Sequence, residues 1–336
     1  MRNMIGNTPM LEINFEYDGH PRKVYAKAEY YSLTGSIKDR ISYHIINEAY
    51  KDGSLKPGMP IVEATSGNTG IAFCALGAYY GHEVHIFMPD WMSSERKEMI
   101  KKYGAILHEV SKEEGGFLGS IQMADKFAKE VNGFRPHQFS NNKNVEAHYL
   151  TTGAEIVAQF RMADISPDAF VAGVGTGGTV MGAGKRIKEA NPKALIFPLE
   201  PLNSPTLSTG FKVGKHRIQG ISDEFIPDIV KLKELDEIIM VDDGDSIIMA
   251  QKLAKELGLG VGISSGANFL GAILAQNKYG TDLNVVTIFS DDSKKYLTTD
   301  LLKKEETKEN FLSPKVKLIS VESFCVCNKR VSDGKC

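Results

Sequence analysis

The sequence predicts an α/β protein made of two twisted, largely parallel α/β units with a ligand held in the cleft between them. Three observations carry this reading. Short apolar, strand-like runs alternate with helical ones through most of the chain. Two of the strand-to-helix junctions are crowded with glycines and hydroxyl residues. The chain has 336 residues, more than one minimal core organises. At 42% hydrophobic and 24% charged, with a net charge of -2, it reads as globular. That balance excludes a phosphate-neutralising nucleic-acid surface, and no apolar run reaches membrane-spanning length. Met1 to Met10 lacks a positively charged stretch followed by an apolar one, so no export signal is expected. The cysteines are Cys74, Cys325, Cys327 and Cys336, and a reducing cytoplasm is the expected setting.

Taken in order, Val24 to Ala28 reads as a strand, and a helix follows from about Ile37 to Tyr50 with Ile41, Ile45, Ile46 and Ala49 on one face. Pro60 to Ala64 is a strand and Gly70 to Tyr80 an apolar helix, in which Cys74 reads as a buried free thiol. Val84 to Met88, Ser93 to Tyr103, Ala105 to Val110 and Phe117 to Val131 continue the strand–helix alternation. The second half repeats it. Ala169 to Ala172 is a strand, Val180 to Ala190 a helix, and Ala194 to Leu199 a strand. Glu237 to Val241, Asp245 to Leu257, Gly266 to Gln276 and Asn284 to Phe289 follow. Repeated βα units imply a parallel sheet covered on both faces. Beyond Leu301 the composition turns charged and reads as an extension.

Lys38 opens the first long helix behind Gly35-Ser36, a pair able to cap it. The positive end of the helix dipole and the adjacent Arg40 both disfavour an ammonium there, leaving a nucleophilic amine. The alternative is a solvated lysine paired to Asp39.

Two loops bear on that choice. Thr65-Ser66-Gly67-Asn68-Thr69-Gly70 lies between a strand and a helix, where hydroxyls, amides and the helix start suit a carboxylate. Asn68 can also reach the hydroxyl of a planar ligand. Gly173-Val174-Gly175-Thr176-Gly177-Gly178-Thr179 can cradle a phosphate. It also satisfies G-x-G-x-x-G, with Glu200 placed as a dinucleotide fold requires, so an NAD-dependent dehydrogenase stays open at this point.

Lysine, carboxylate loop and phosphate cup together are the parts needed to hold pyridoxal phosphate and an amino acid. Ile5 to Met10, Gly35 to Arg40, Glu63 to Gly70 and Gly173 to Thr179 resemble, in sequence order, the cysteine synthase and cystathionine β-synthase family. Gln138-Phe139, Asn144 with Ala147-His148, Glu200-Pro201, Ser204-Pro205 and Gly262 to Ala267 extend the resemblance, which runs from about Met4 to Leu301. It implies the fold type II pyridoxal 5'-phosphate architecture, usually a homodimer. On that pattern residues 1–39 and 148–305 form the large cofactor-binding domain, 40–147 a smaller mobile domain on the substrate side, and 306–336 a C-terminal extension. Lys38 becomes the Schiff-base lysine and the carrier of the Cα proton. Asn68 contacts the ring hydroxyl, and Gly175, Thr176, Gly177, Gly178 and Thr179 hold the phosphate. Thr65, Ser66, Thr69 and Gln138 bind the substrate carboxylate. No metal is implied.

Two stretches depart from the family. Gly220-Ile221-Ser222-Asp223-Glu224-Phe225-Ile226-Pro227 carries a hydroxyl and two carboxylates where biosynthetic cysteine synthases have small residues, and Asp223 is the unusual one. Counted back from Tyr296, Asp292 falls where the family faces the pyridine nitrogen with a serine; Ser293 or Ser290 takes that place if the register slips. The resemblance implies loss of the β-substituent to give an enzyme-bound aminoacrylate, then addition of a nucleophile at Cβ. A carboxylate there repels hydrosulfide and can act as base to water or a thiol. The expected reaction is therefore release of hydrogen sulfide from L-cysteine, with water giving L-serine or a second thiol giving lanthionine or cystathionine, and Asp223 as base. The alternative is cysteine synthesis from O-acetylserine and sulfide.

Overall fold

The computed structural model describes residues 1–324. Cys325, Cys327 and Cys336, part of the expected extension, lie outside the described residues.

The strands are β1 (Met10–Tyr17), β2 (His20–Ala28), β3 (Ile61–Ala64), β4 (Val84–Pro89), β5 (Ile106–Val110), β6 (Ala169–Gly173), β7 (Leu195–Pro201), β8 (Ile239–Val241), β9 (Val285–Phe289) and β10 (Val316–Phe324). The helices are α1 (Lys38–Asp52), α2 (Asn68–Tyr80), α3 (Ser94–Lys102), α4 (Gly116–Glu130), α5 (Asn142–His148), α6 (Ala154–Met162), α7 (Gly178–Ala190), α8 (Thr206–Thr209), α9 (Asp243–Leu257) and α10 (Ile263–Tyr279). They build two α/β domains: a seven-stranded sheet ordered β10-β1-β2-β9-β6-β7-β8 and a three-stranded sheet ordered β3-β4-β5.

The small sheet is parallel throughout, as the βα alternation predicts. The large sheet is parallel from β2 through β8 but antiparallel at one side, where β1 pairs with both β2 and β10. Sequence reasoning left out β1 and β10. The signal for β1 was present: Leu11, Ile13, Phe15 and Tyr17 alternate with polar residues and all four are buried. Asp18-Gly19, both at positive φ (50° and 78°), then turns the chain tightly into β2. For the extension, Asp245 at the start of α9 accepts from the backbone of Leu312 (2.7 Å) and Ser313 (2.9 Å), which aims the chain into β10. That strand covers the outer edge of β1 and removes a row of open backbone groups.

One face of the large sheet packs against α9 and α10 through Ile247, Leu253, Phe269 and Ile273, and the other against α6 and α7 through Phe160, Val180 and Ile187. Helix α1 covers the small sheet, with Ile41, Ile45, Ile46 and Ala49 buried in one cluster with Ile61 and Ile86. Its N-terminus, however, is tied to the large sheet. The Ile37 amide donates to the Ser290 carbonyl (2.9 Å) and Ser36 bridges Asp291, just past the end of β9. Lys38 therefore starts a helix of one sheet while being pinned to the other.

Candidate active site

Lys38 stands at the floor of a cleft lined also by the Thr65–Thr69 loop, the Gly173–Thr179 loop, the Gln219–Asp223 loop and the end of β9. Burial lowers its ammonium pKa, and Lys295 pushes the same way, against the opposing charges of Asp291 and Asp223. The free-amine character expected from sequence is present, but its cause is different. Arg40 turns away and is buried against Glu29 and Glu155, at 2.6 and 2.7 Å. The surface reading fails as well: Asp39 accepts from the Thr34 amide (2.8 Å) and hydroxyl (2.5 Å). Nor does Ser36 cap the helix. Ile37 holds the cap position with no side-chain bond, and the Ser36 hydroxyl is buried without a partner.

The carboxylate loop is held from behind. The Thr65 hydroxyl accepts from the Gly67 amide (3.1 Å), and Thr69 donates to Gln138 Oε1 (2.7 Å). Gln138 in turn donates to the Ala64 carbonyl (3.0 Å), so Thr65, Thr69 and Gln138 share one wall with Ser66. Arg96, from α3, donates to the Ser66 carbonyl (3.1 Å), and its guanidinium lies over the Tyr296 ring. Sequence reasoning did not select Arg96 or Tyr296, because a helical Arg and a loop Tyr carry no local signature of a cleft.

The glycine loop forms the opposite wall. Gly177 caps α7 at φ 87° and Gly178 is the first helical residue, so the backbone amides open toward the cleft beside Gly175, Thr176 and Thr179. Here close approach excludes side chains. A Cβ on Gly178 would lie 1.8 Å from Asn144 Oδ1, and one on Gly175 would lie 2.4 Å from the Gly220 carbonyl. Asn144 donates to Thr176 Oγ1 (2.9 Å) and to the Gln138 carbonyl (2.8 Å), joining the phosphate wall to the carboxylate wall.

Asp223 also lines the cleft. Burial pushes its carboxyl up to about 6, with the Lys38 charge acting against that rise. Its loop is fixed by Ser222, which sits at φ 55° and donates to the Ser204 carbonyl (2.9 Å) while its amide reaches the Val174 carbonyl (2.8 Å). A buried non-glycine residue in the left-handed region is strain that tertiary contacts must hold. Glu224, the neighbouring acid, pairs with Lys212 (2.8 Å).

Asp292 is the residue that the structure does not bring to the cleft. Its carboxylate accepts from the Lys294 amide (2.7 Å) and pairs with the Lys294 ammonium (3.3 Å), capping a short turn. Ser290 and Asp291 line the cleft instead. Two isolated bridges, Ser36 with Asp291 and Val261 with Asp292, hold the chain as it leaves β9, and neither is visible in local sequence. Glu200 is likewise not a ribose ligand. It is fully buried, accepting from the amides of Leu207 (2.6 Å) and Ser208 (3.3 Å) and from the Ser208 hydroxyl.

These residues fit pyridoxal phosphate. There is a buried amine of lowered basicity and, in the same cleft, a glycine loop at a helix start with the Thr176 and Thr179 side chains beside it, the donor set a phosphate needs. Fold and site together define a fold type II, pyridoxal-phosphate-dependent enzyme. The chain belongs to the pyridoxal-phosphate dependent enzyme family, whose sequence model matches residues 1–291. It is 41% identical over 298 residues to the cysteine synthase of Staphylococcus aureus (strain Mu50 / ATCC 700699), covering 89% of this chain and 95% of that one. The crystal structure of a hydrogen sulfide-producing enzyme from Fusobacterium nucleatum is 59% identical, with a TM-score of 0.95 over 97% of this chain and 98% of that one. An aspartate-to-asparagine variant of that enzyme, complexed with an α-aminoacrylate intermediate, is also similar, with a TM-score of 0.93, 59% identity and coverage of 96% and 97%. The protein is thus a pyridoxal-phosphate-dependent enzyme acting on cysteine or serine derivatives, and the dehydrogenase alternative is set aside.

Proposed function

We propose that the enzyme takes L-cysteine as donor, releases hydrogen sulfide, and completes the turnover by adding water at Cβ to give L-serine. The observation that carries this reading is Asp223, a carboxyl in the cleft pushed up to about 6 and within electrostatic reach of Lys38. Bound pyridoxal phosphate would supply an electron sink that makes the Cα–H bond of an attached amino acid acidic.

The remaining work falls to this chain's side chains. Lys38 Nζ would carry the cofactor and, once free, remove the Cα proton; burial keeps the amine able to accept it. Thr65, Ser66, Thr69 and Gln138 would grip the substrate carboxylate. Asn68 would meet the ring hydroxyl, and Gly175, Thr176, Gly177, Gly178 and Thr179 the phosphate. Asp223 would take a proton from water as its oxygen bonds to Cβ, and its charge would turn away hydrosulfide, the anion of the reverse reaction. The balance is L-cysteine plus water giving L-serine plus hydrogen sulfide. A neutral thiol in place of water would give lanthionine or cystathionine by the same proton transfer. Similarity to a hydrogen sulfide-producing enzyme supports the choice of donor.

The segment 40–147, which contains the small sheet, would be the smaller domain that closes on substrate, with 1–39 and 148–305 as the large one. We assign a homodimer in the cytoplasm as the working form.

The test is product analysis with L-cysteine alone, on the parent and on Asp223→Asn. Serine and sulfide in the parent, with serine lost in the variant, are expected. Equal serine from both would remove Asp223 from the mechanism. A second reading rests on the S. aureus relative, a cysteine synthase. Cysteine formed from O-acetylserine and sulfide, with no sulfide released from cysteine, would establish that reading instead.

A further inference from the structure

The Asp223 carboxylate is aimed by its backbone alone. It lines the cleft, and among the described residues only charges at a distance act on its oxygens; no hydrogen bond holds them. The backbone on either side is tied down closely. Thr206 Oγ1 donates to the Asp223 carbonyl (3.2 Å) and His216 Nε2 to the Ser222 carbonyl (3.1 Å). The Ser222 amide reaches the Val174 carbonyl (2.8 Å), and its hydroxyl donates to the Ser204 carbonyl (2.9 Å) while lying 3.1 Å from Thr206 Oγ1.

Ser222 is the centre of that set. It is buried and sits at φ 55°, a conformation in which a Cβ crowds the following carbonyl. Gly220, two positions earlier, makes its own left-handed turn at φ 91° without that conflict. A strained side-chain-bearing residue persists only where other contacts hold it, and here the hydroxyl makes them. The amide bond to Val174 ties the same residue to the glycine loop, against which the Gly220 carbonyl packs so closely that a Cβ on Gly175 would lie 2.4 Å from it. Asp223 is thereby registered against the loop suited to a phosphate.

We propose that Ser222 is a positioning residue for water addition: its hydroxyl locks the strained turn that directs the Asp223 carboxylate into the cleft, and that aim decides whether turnover ends in serine or in pyruvate. This rests on Asp223 as the base to water. In place, the carboxylate takes a proton from water as the water oxygen bonds to the substrate's Cβ, and L-cysteine plus water gives L-serine plus hydrogen sulfide. Misplaced, it leaves the same inputs to depart as pyruvate, ammonia and hydrogen sulfide. Rotation about the Ser222 backbone swings the side chain that follows, and a displacement of about 1 Å can cost a catalytic group about 100-fold. Glycine at this position would remove strain and lock together, whereas alanine would keep the strain and remove the lock. If Ser222 only closed a turn, glycine, free at positive φ, would serve at least as well and the products would not change.

The experiment is serine and pyruvate analysis of the holoenzyme given L-cysteine alone, for the parent, Ser222→Gly, Ser222→Ala, Thr209→Val and Asp223→Asn. Carbon-13 NMR of carboxyl-labelled aspartate, assigned with Asp223→Asn, follows the titration of Asp223 in the others. The serine-to-pyruvate ratio should fall about 10- to 100-fold in both Ser222 variants. It should hold in Thr209→Val, which loses an exposed hydroxyl of the same segment that does not touch Asp223. The Asp223 titration, at about 6 in the parent, should drop toward the ordinary carboxylate range in the Ser222 variants as the carboxyl leaves its buried place. A ratio or a titration left at the parent's value by Ser222→Gly overturns the proposal, and so does an equal loss of ratio in Thr209→Val. If the Ser222 variants do not fold, Thr206→Val, which frees the Asp223 carbonyl, is read on the same two measures, and parental values there overturn it. Asp223→Asn keeps the two readings apart. An unchanged ratio in that variant removes the base itself, whereas a ratio lost there but kept in Ser222→Gly overturns the positioning role alone.

Discussion

Lowering the pH from 7 to 5, with L-cysteine as the only amino acid, should cut the ratio of serine to pyruvate about tenfold. The magnitude follows from Asp223, whose carboxyl burial raises from 3.8 to about 6 against the Lys38 charge. A group titrating there is about nine-tenths ionised at pH 7 and about one-tenth at pH 5, whereas a carboxylate of ordinary pKa would stay about nine-tenths ionised or more throughout. Only the ionised form can take a proton from water. The ratio reads the step after sulfide has left, and because Lys38 also returns the Cα proton to make serine, the Asp223→Asn profile is the control that separates the two titrations. The assay is quenched-flow or fixed-time amino-acid analysis with pyruvate measured on the same samples, cofactor saturating. Asp223→Asn should show a flat profile and a serine yield lower by roughly 10²- to 10⁴-fold, the usual range for a general base. A parent ratio that does not change between pH 7 and 5 refutes the reasoning, as does an Asp223→Asn profile that follows the parent's.

Three further outcomes are expected. Gly175→Ala forces the Gly220 carbonyl back from 2.4 Å by about 1 Å and moves the loop that carries Asp223, so serine formation should fall roughly 100-fold with cofactor loaded, measured at saturating pyridoxal phosphate. Asp223→Asn should be more stable than the parent at neutral pH by on the order of 1–2 kcal/mol. The folded carboxyl is raised to about 6, so its ionisation weakens the fold above that pH and the difference should vanish as pH falls toward 4; paired urea titrations of the holoenzyme check it. Arg40→Met strips the buried Glu29 and Glu155 of their partner and should destabilise by about 3–5 kcal/mol. In the parent, burial would raise Glu155, but Arg40 and Lys27 hold it down at about 2. The stability this supplies is present above the ordinary carboxylate range and lost as pH falls toward 2, and calorimetric melts across that range should show a smaller slope in the variant.

Local pattern was enough wherever local pattern carries the physics. The α1 face of Ile41, Ile45, Ile46 and Ala49 and the alternation of short apolar runs with helices require only periodicity and burial, and both sheets are assembled from them. The chemistry of the two loops was equally plain. Glycines before a helix leave amides free, and hydroxyls among them have few other uses. The omission of β1 is instructive, since its alternation of Leu11, Ile13, Phe15 and Tyr17 is as regular as any strand in the protein. Expecting every strand to belong to a βα unit hid it.

By itself, then, the sequence determined the α/β class, the lysine, the carboxylate loop, the phosphate cup and the presence of Asp223 in a loop that has no local reason to be acidic. Tertiary structure alone decided what those residues experience. Lys38 loses basicity through burial and Lys295, 257 positions along the chain, while its sequence neighbour Arg40 is occupied by Glu29 and Glu155. Asp291 reaches the cleft and Asp292 does not, because the bridge from Ser36 sets which of two adjacent carboxylates faces inward. Periodicity is a property of neighbours along the chain, but a pKa and a facing direction depend on which distant groups share the same few ångströms of low-dielectric space.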